Sequence, residues 1–203
     1  MESRTKERLI VILWGALTWF LFAGVLESVP KFILFTTYTP IGQKVLESPV
    51  LFVVLGAFLA ALFEETGRLI IFKTVLKDRT HRETGLFHGI GHGGCEAALI
   101  LVSLVAAAVP LAGWLPAIGE RCMAMLLHIA LSITVFYGVK HHKIGFYFLA
   151  MLWHFLFDIP AALYQAGKLA LAPTEVVIAT FAVLVFGWAF FFLYKKDDVE
   201  PEE

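Results

Sequence analysis

The chain has 203 residues, of which 59% are hydrophobic and 16% charged, with a formal net charge of -1 and a mean hydropathy of +0.80. Such a composition lies outside the ordinary soluble range and reads as an integral membrane protein. A near-neutral chain with no basic patch away from the span ends gives nucleic-acid binding no support, and two cysteines, Cys95 and Cys122, both inside apolar runs, make no secreted disulfide framework.

In chain order, the basic start "MESRTKER" precedes an apolar run from Leu9 that lacks a small-residue cleavage site, so an uncleaved first span is expected. Apolar blocks follow at roughly 9–29, 47–72, 84–110, 116–139, 143–165 and 173–194. Each is near or above the roughly 20 residues that cross a hydrocarbon core of about 30 Å. A backbone in lipid must satisfy its own hydrogen bonds, so all six should be helices. The predicted fold is an all-α polytopic transmembrane bundle of about six spans in the lipid bilayer, forming one domain over residues 1–203. Between the first two spans, "PKFILFTTYTPIGQKVLESP" is too polar to cross and should lie along the surface or re-enter. The end, 196–203, reads as a solvated, disordered tail.

Basic residues set the expected orientation. With the N-terminus inside, the cytoplasmic face collects eleven, namely Arg4, Lys6, Arg8, Lys73, Lys77, Arg79, Arg82, Lys140, Lys143, Lys195 and Lys196; the other face collects three, Lys31, Lys44 and Lys168. Both termini are then cytoplasmic, and a polar cavity is expected to open toward that half.

Ionisable groups within the spans are costly and point to function. Counted from the cytoplasmic ends, Glu65, His92, His128 and His154 all fall roughly 12 to 17 Å deep at 1.5 Å per residue. Gly56, Ala60, Glu64 and Arg68 share one helical stripe, whose small residues predict close helix approach. Either Glu64 or Glu65 can pair with Arg68, leaving the other as a candidate base. His88, His92 and Glu96 form a second i+4 stripe beside the small-residue row Gly85, Gly89, Gly93 and Ala97. Asp158 lies one turn beyond His154, within reach of a ring nitrogen or a substrate. Taken singly, each has a plain structural reading: a buried ion pair for Glu64 and Arg68, core histidines, an interfacial position for His88, a boundary pair for Glu120 and Arg121.

Together they suffice for hydrolysis by either of two routes. His92, His128 and His154 can hold Zn²⁺ with a site left for water, a nearby carboxylate taking the proton, and His88 and Glu96 supporting the ligands. Alternatively, a glutamate and one histidine activate water directly while the other histidine and Asp158 steady the oxyanion. No H-E-x-x-H signature is present. Rival readings are a non-catalytic scaffold, a proton-coupled transporter and a bis-histidine haem protein. The transporter lacks an inverted repeat and a path of polar groups across the bundle, and the haem protein leaves the glutamate pair idle.

The motifs "EETGR" (64–68), "GIGHGGCEA" (89–97), "ERCMAMLLHIALS" (120–132) and "HFLFD" (154–158) resemble those of the YhfC-type intramembrane metalloproteases. These belong to the wider group of CAAX-processing, bacteriocin-immunity and PrsW-type membrane proteases. The resemblance covers roughly residues 60–160, and "GHGGxEA" is its more specific part. It implies a zinc-dependent endopeptidase acting on a membrane-embedded or membrane-adjacent protein, in a prokaryotic cytoplasmic membrane. By likeness, Glu64 or Glu65 is the base with Arg68 in its motif, His92 the histidine of the second motif, and His154 with Asp158 the closing pair. Two residues rather than three between Glu65 and Arg68, and Asp158 where Asn is common, set the chain apart from the CAAX-type pattern. The group also resembles the multi-span scaffold subunit of gamma-secretase, which keeps membrane histidines without being the protease, so a scaffold is the alternative function.

Single cysteines introduced at Ser3, Gly113 and Glu202 test the orientation. A membrane-impermeant thiol reagent applied from outside should label position 113 alone; labelling there from the cytoplasm reverses the topology.

Overall fold

The computed structural model describes residues 2–198, which are almost wholly helical, with no strand among them. Helix α1 (Glu2–Trp19) runs through a π-helical segment (Phe20–Leu26) into α2 (Ser28–Leu34), giving one apolar path from Arg4 to Leu34. A short α3 (Pro40–Glu47) follows, then α4 (Pro49–Lys73), α5 (Glu83–Ala106), α6 (Trp114–Lys140), α7 (Gly145–Gln165) and α8 (Leu171–Trp188), the last extended by a π-helical segment (Ala189–Tyr194). Six helical paths are long and apolar enough to cross a bilayer. The polar stretch expected along the surface is α2, the following turn and α3. Thr39 caps α3 by accepting from the Gly42 amide at 3.0 Å, and Ser48 caps α4, each with a proline in the first helical position.

Helix α6 is the central element, with 67% of its apolar window buried against α4, α5, α7 and α8. Its inner face supplies Leu127, Ala130 and Leu131, none with exposed surface. Helices α1, α5, α6, α7 and α4 pack in that order, with α4 returning to α1, so five helices form a ring; α8 braces α6 and α7 from outside. At one end the ring is filled, because α4 and α6 meet across it through Phe72 and Phe136, ring centroids 5.4 Å apart. That end is the basic end: Arg8 meets Glu83 there at 2.9 Å, and Lys140 meets Asp197 at 2.9 Å.

Small residues decide where helices touch backbone to backbone. The expected row does pack closely on α6: a Cβ on Gly89 would lie 2.5 Å from the Ile129 Cα, and one on Gly85 3.0 Å from the Ile133 Cα. The closest crossing was not anticipated. A Cβ on Gly91 would sit 1.9 Å from the Ile12 carbonyl oxygen, and one on Gly15 2.1 Å from that of His88, so α1 and α5 seat on each other with no side chain between them. The other expected row behaves differently. Gly56 and Ala60 border open space, and a Cβ on Gly56 would meet only the Phe35 ring at 3.8 Å.

That space is a cavity of about 630 Å³ between α4, α5, α6, α7 and the π segment. Its walls extend from Glu64, His128 and His154 to Lys31, Phe35 and Gln165, at the end of the bundle opposite the basic end. The expectation that the cavity at the cluster opens on the side of the termini is thereby corrected: Phe72 and Phe136 close the ring there, while small residues in α4 leave the other side open, and a polar cavity of about 790 Å³ at the basic end, lined by Arg4, Arg8, Asp78 and Glu83, is separate from the cluster. The tail also departs from expectation at its start. Lys196–Asp198 form a 3₁₀ turn, because Asp197 is drawn in by Lys140 and by His141, 2.8 Å away; residues 199–203 lie outside the described residues.

Gly91→Ala should force α1 off α5 and cost about 1–3 kcal/mol, as overpacking does. Gly187→Ala, which meets nothing within 4 Å, serves as the control. Thermal unfolding in detergent should show a clear loss of melting temperature for the first and none for the second.

Candidate active site

Glu64, His92 and His154 each lie nine residues from the basic end of their helix, at Lys73, Glu83 and Gly145 respectively, and His128 lies twelve from Lys140. At 1.5 Å per residue all four therefore sit roughly 14 to 18 Å deep. Each also faces the ring interior, so four helices converge on one polar cluster. The rings of His92 and His128 are 5.0 Å apart by centroid, and those of His128 and His154 5.6 Å.

Glu64 is the hub. Its Oε2 is 2.8 Å from His92 Nε2, 3.8 Å from Arg68 Nη2, and 4.0 Å from both His128 Nδ1 and His154 Nε2. Glu65, one residue on, is fully buried and committed: it accepts from Arg68 Nη1 and, at 2.7 Å, from His154 Nδ1. Consequently His154 presents Nε2 toward Glu64 and toward Asp158, whose Oδ2 is 3.6 Å away. His128 accepts at Nδ1 from Arg68 Nη2 at 2.7 Å, so its Nε2–H donates to Glu96. Glu96 in turn holds Arg121, which also reaches Glu120. Arg121 is thus part of the cavity wall and not a boundary residue, because Glu96 draws it inward.

Arg68 donates through its third position, Nε, to Ser132 Oγ at 3.2 Å. From there the directions of a buried chain are determined. Thr18 donates its hydroxyl to the Trp14 carbonyl at 2.6 Å, so it must accept from His88 Nε2 at 3.1 Å. His88, neutral, then accepts at Nδ1 from Ser132 at 3.2 Å. His88 is fully buried, not interfacial: α1 and the Phe72 ring, 4.6 Å away by centroid, cover it. Ser132 and Thr18 were missed from sequence. Ser132 lies one turn beyond His128 on the same face, a signal that was available, whereas Thr18 stands alone in the first span. Glu27, buried at the end of the π segment and 2.6 Å from Lys31, was missed as well and lines the cavity.

The donor set suits a transition metal. Glu64, His92 and His128 each offer one ligand atom, all within 4.8 Å of one another, and imidazole with carboxylate is a common zinc set. His154 Nε2 stands beside them, and His92 Nδ1 is buried with no partner among the described residues. Arg68 occupies the lone pair of His128 that an ion would take, so binding there must displace that hydrogen bond.

Arg68→Lys retains the charge but cannot reach Glu65, His128 and Ser132 together. It should cost about 3–5 kcal/mol, the usual consequence of breaking a buried charge network, read as a lowered melting temperature with the helical content at low temperature unchanged.

A family model described as "YhfC intramembrane metalloprotease" matches residues 3–113 and 101–182. The uncharacterized membrane protein YhfC of Bacillus subtilis (strain 168) is 30% identical over 210 aligned positions, which cover 86% of this chain and 81% of that protein. No solved structure matches. On these matches over most of its length, and with the multi-pass membrane fold they accompany, the chain belongs to the YhfC intramembrane metalloprotease family.

Proposed function

We propose that this protein is an intramembrane endopeptidase that hydrolyses a peptide bond of a membrane-embedded or membrane-adjacent protein, with Glu64 as the general base. The observation that carries the reading is the division of labour between adjacent carboxylates. Glu65 is saturated by Arg68 and His154, while Glu64 borders the cavity and is ringed by three histidines. A water in the cavity beside Glu64 Oε2 gives up its proton there as it attacks the carbonyl carbon, and as the tetrahedral species collapses the C–N bond breaks and Glu64 returns that proton to the leaving amine nitrogen. Glu65 holds His154 by Nδ1, so that Nε2 faces the reacting bond, with Asp158 oriented beside it. Glu96 and Arg68 fix His128 in a single tautomer. A zinc ion held by His92, His128 and His154 would acidify the attacking water and polarise the carbonyl, leaving the Glu64 carboxylate as the base.

The cavity's position revises the expected route of entry. With the basic end cytoplasmic, water and substrate reach Glu64 from the extracytoplasmic half. One observation favours the scaffold reading: the histidines are already bonded to carboxylates in a closed network, as a packed assembly element would be.

Membrane proteomes with mapped protein termini, from cells making wild type, Glu64→Gln or His92→Ala at matched levels, separate the two. At least one defined cleavage should vanish in both variants, with a rate loss on the order of a hundredfold or more. Identical termini in all three strains, with a partner protein lost instead, would transfer the case to the scaffold. Zinc content of protein purified without a histidine tag should be near stoichiometric in wild type and absent after His92→Ala/His128→Ala/His154→Ala. Equal trace amounts in both rule out the metal and leave direct water activation by Glu64.

A further inference from the structure

The turn between α6 and α7 carries two kinds of basic residue. Lys140 and His141 are taken up by Asp197, at 2.9 and 2.8 Å. His142 and Lys143, the next two, have no acidic partner among the described residues, and neither does Lys73 at the end of α4. These three line a separate pocket of about 140 Å³ together with Leu69, Val135, Val139, Ile144 and Tyr147. No carboxylate lines it. His142 holds a left-handed backbone, φ +54°, a conformation that non-glycine residues seldom adopt. The Tyr147 hydroxyl is tied to Thr66 across the α4–α7 contact at 3.0 Å.

Three features together specify the ligand. The pocket lies where two spans end, at Lys73 and Lys140, hence at the boundary between headgroups and hydrocarbon. Its volume suits a phosphodiester and not a larger solute. Two lysines and a histidine sharing a pocket with apolar side chains, next to the outward-facing Ile144 and Phe148 (51% and 55% exposed), match a group that is anionic at one end and aliphatic at the other. Basic pockets between spans on the cytoplasmic side commonly hold anionic lipid headgroups. We propose that Lys73, His142 and Lys143 form a binding site for the phosphate of an anionic phospholipid, seated between α4 and the α6–α7 turn and distinct from the Glu64 cluster. The site does not depend on the peptidase reading.

Native mass spectrometry of the purified full-length protein tests it, with phosphatidylglycerol, phosphatidylcholine and inorganic phosphate offered at equal concentration. Phosphatidylglycerol should be retained selectively, and Lys73→Gln/Lys143→Gln should weaken its retention roughly tenfold or more. Lys6→Gln/Lys77→Gln, which removes two lysines elsewhere at the same end, should leave it unchanged. Equal losses in the two double variants would mean general surface attraction and overturn the site. Retention of inorganic phosphate as strongly as the lipid would overturn the lipid assignment, and undiminished lipid retention in Lys73→Gln/Lys143→Gln would overturn the proposal outright. Size-exclusion profiles matching wild type establish that each variant is folded.

Discussion

A guanidinium with no exposed surface, in the interior of a membrane protein, is the constraint on which the rest of this structure depends. Burying the Arg68 charge is costly unless it is paired and its hydrogen bonds are met. The chain meets them with groups from two helices: Glu65 on its own α4, and His128 and Ser132 on α6. Each of those groups is then oriented by what it accepts. Glu65 has capacity left for His154 on α7, His128 turns its other nitrogen to Glu96 on α5, and Ser132 donates its hydroxyl to His88 Nδ1. Four helices, α4, α5, α6 and α7, are brought into register around one cation, and Glu64 is the carboxylate left facing the cavity.

This dependence explains the close packing of α1 on α5. The buried chain from Arg68 ends at the carbonyl of Trp14, so the first span supplies the final acceptor. Glycines at positions 15 and 91 let the two backbones approach closely enough for Thr18 to reach His88. The first span therefore completes the site although it contributes no residue of the recognisable motifs. Glu27 and Lys31 extend the same path to the cavity mouth, beyond the π segment.

Span count, span limits and the level of the cluster were legible in the sequence because each rests on one-dimensional quantities, apolar run length and residues from a helix end. The convergence of His92, His128 and His154 beside the Glu64–Glu65 pair followed from that common level. What could not be read was anything set by rotation between helices. Whether Gly56 and Ala60 meet a neighbour or border a cavity depends on how α4 faces α5, and periodicity is silent on it. The same ambiguity concealed which of two adjacent glutamates Arg68 would take, since i+3 and i+4 partners are equally near on an isolated helix. Ser132 could have been found by extending the His128 stripe one turn; Thr18 could not, because its partner lies seventy residues away. The basic-residue count orients the spans but carries no information on which end of the bundle is filled, and here Phe72 and Phe136 fill the basic end while Gly56 and Ala60 leave room at the other.

The dimensions of that room bear on any substrate. A helix with its side chains is about 10–12 Å across and closes each carbonyl in its own hydrogen bond, and Glu64 lies at the inner end of the cavity. On the proposed peptidase reading, a transmembrane segment reaching Glu64 must surrender its helical hydrogen bonds first, and in lipid those groups have no water to replace them. The polar wall of Glu27, Glu96, Glu120, Arg121 and Asp158 offers such replacements. On that reading, sequences already reluctant to stay helical, with glycine or proline near the cavity mouth, would unwind at least cost, so that the weakness of a segment's fold and not the identity of a side chain would favour it.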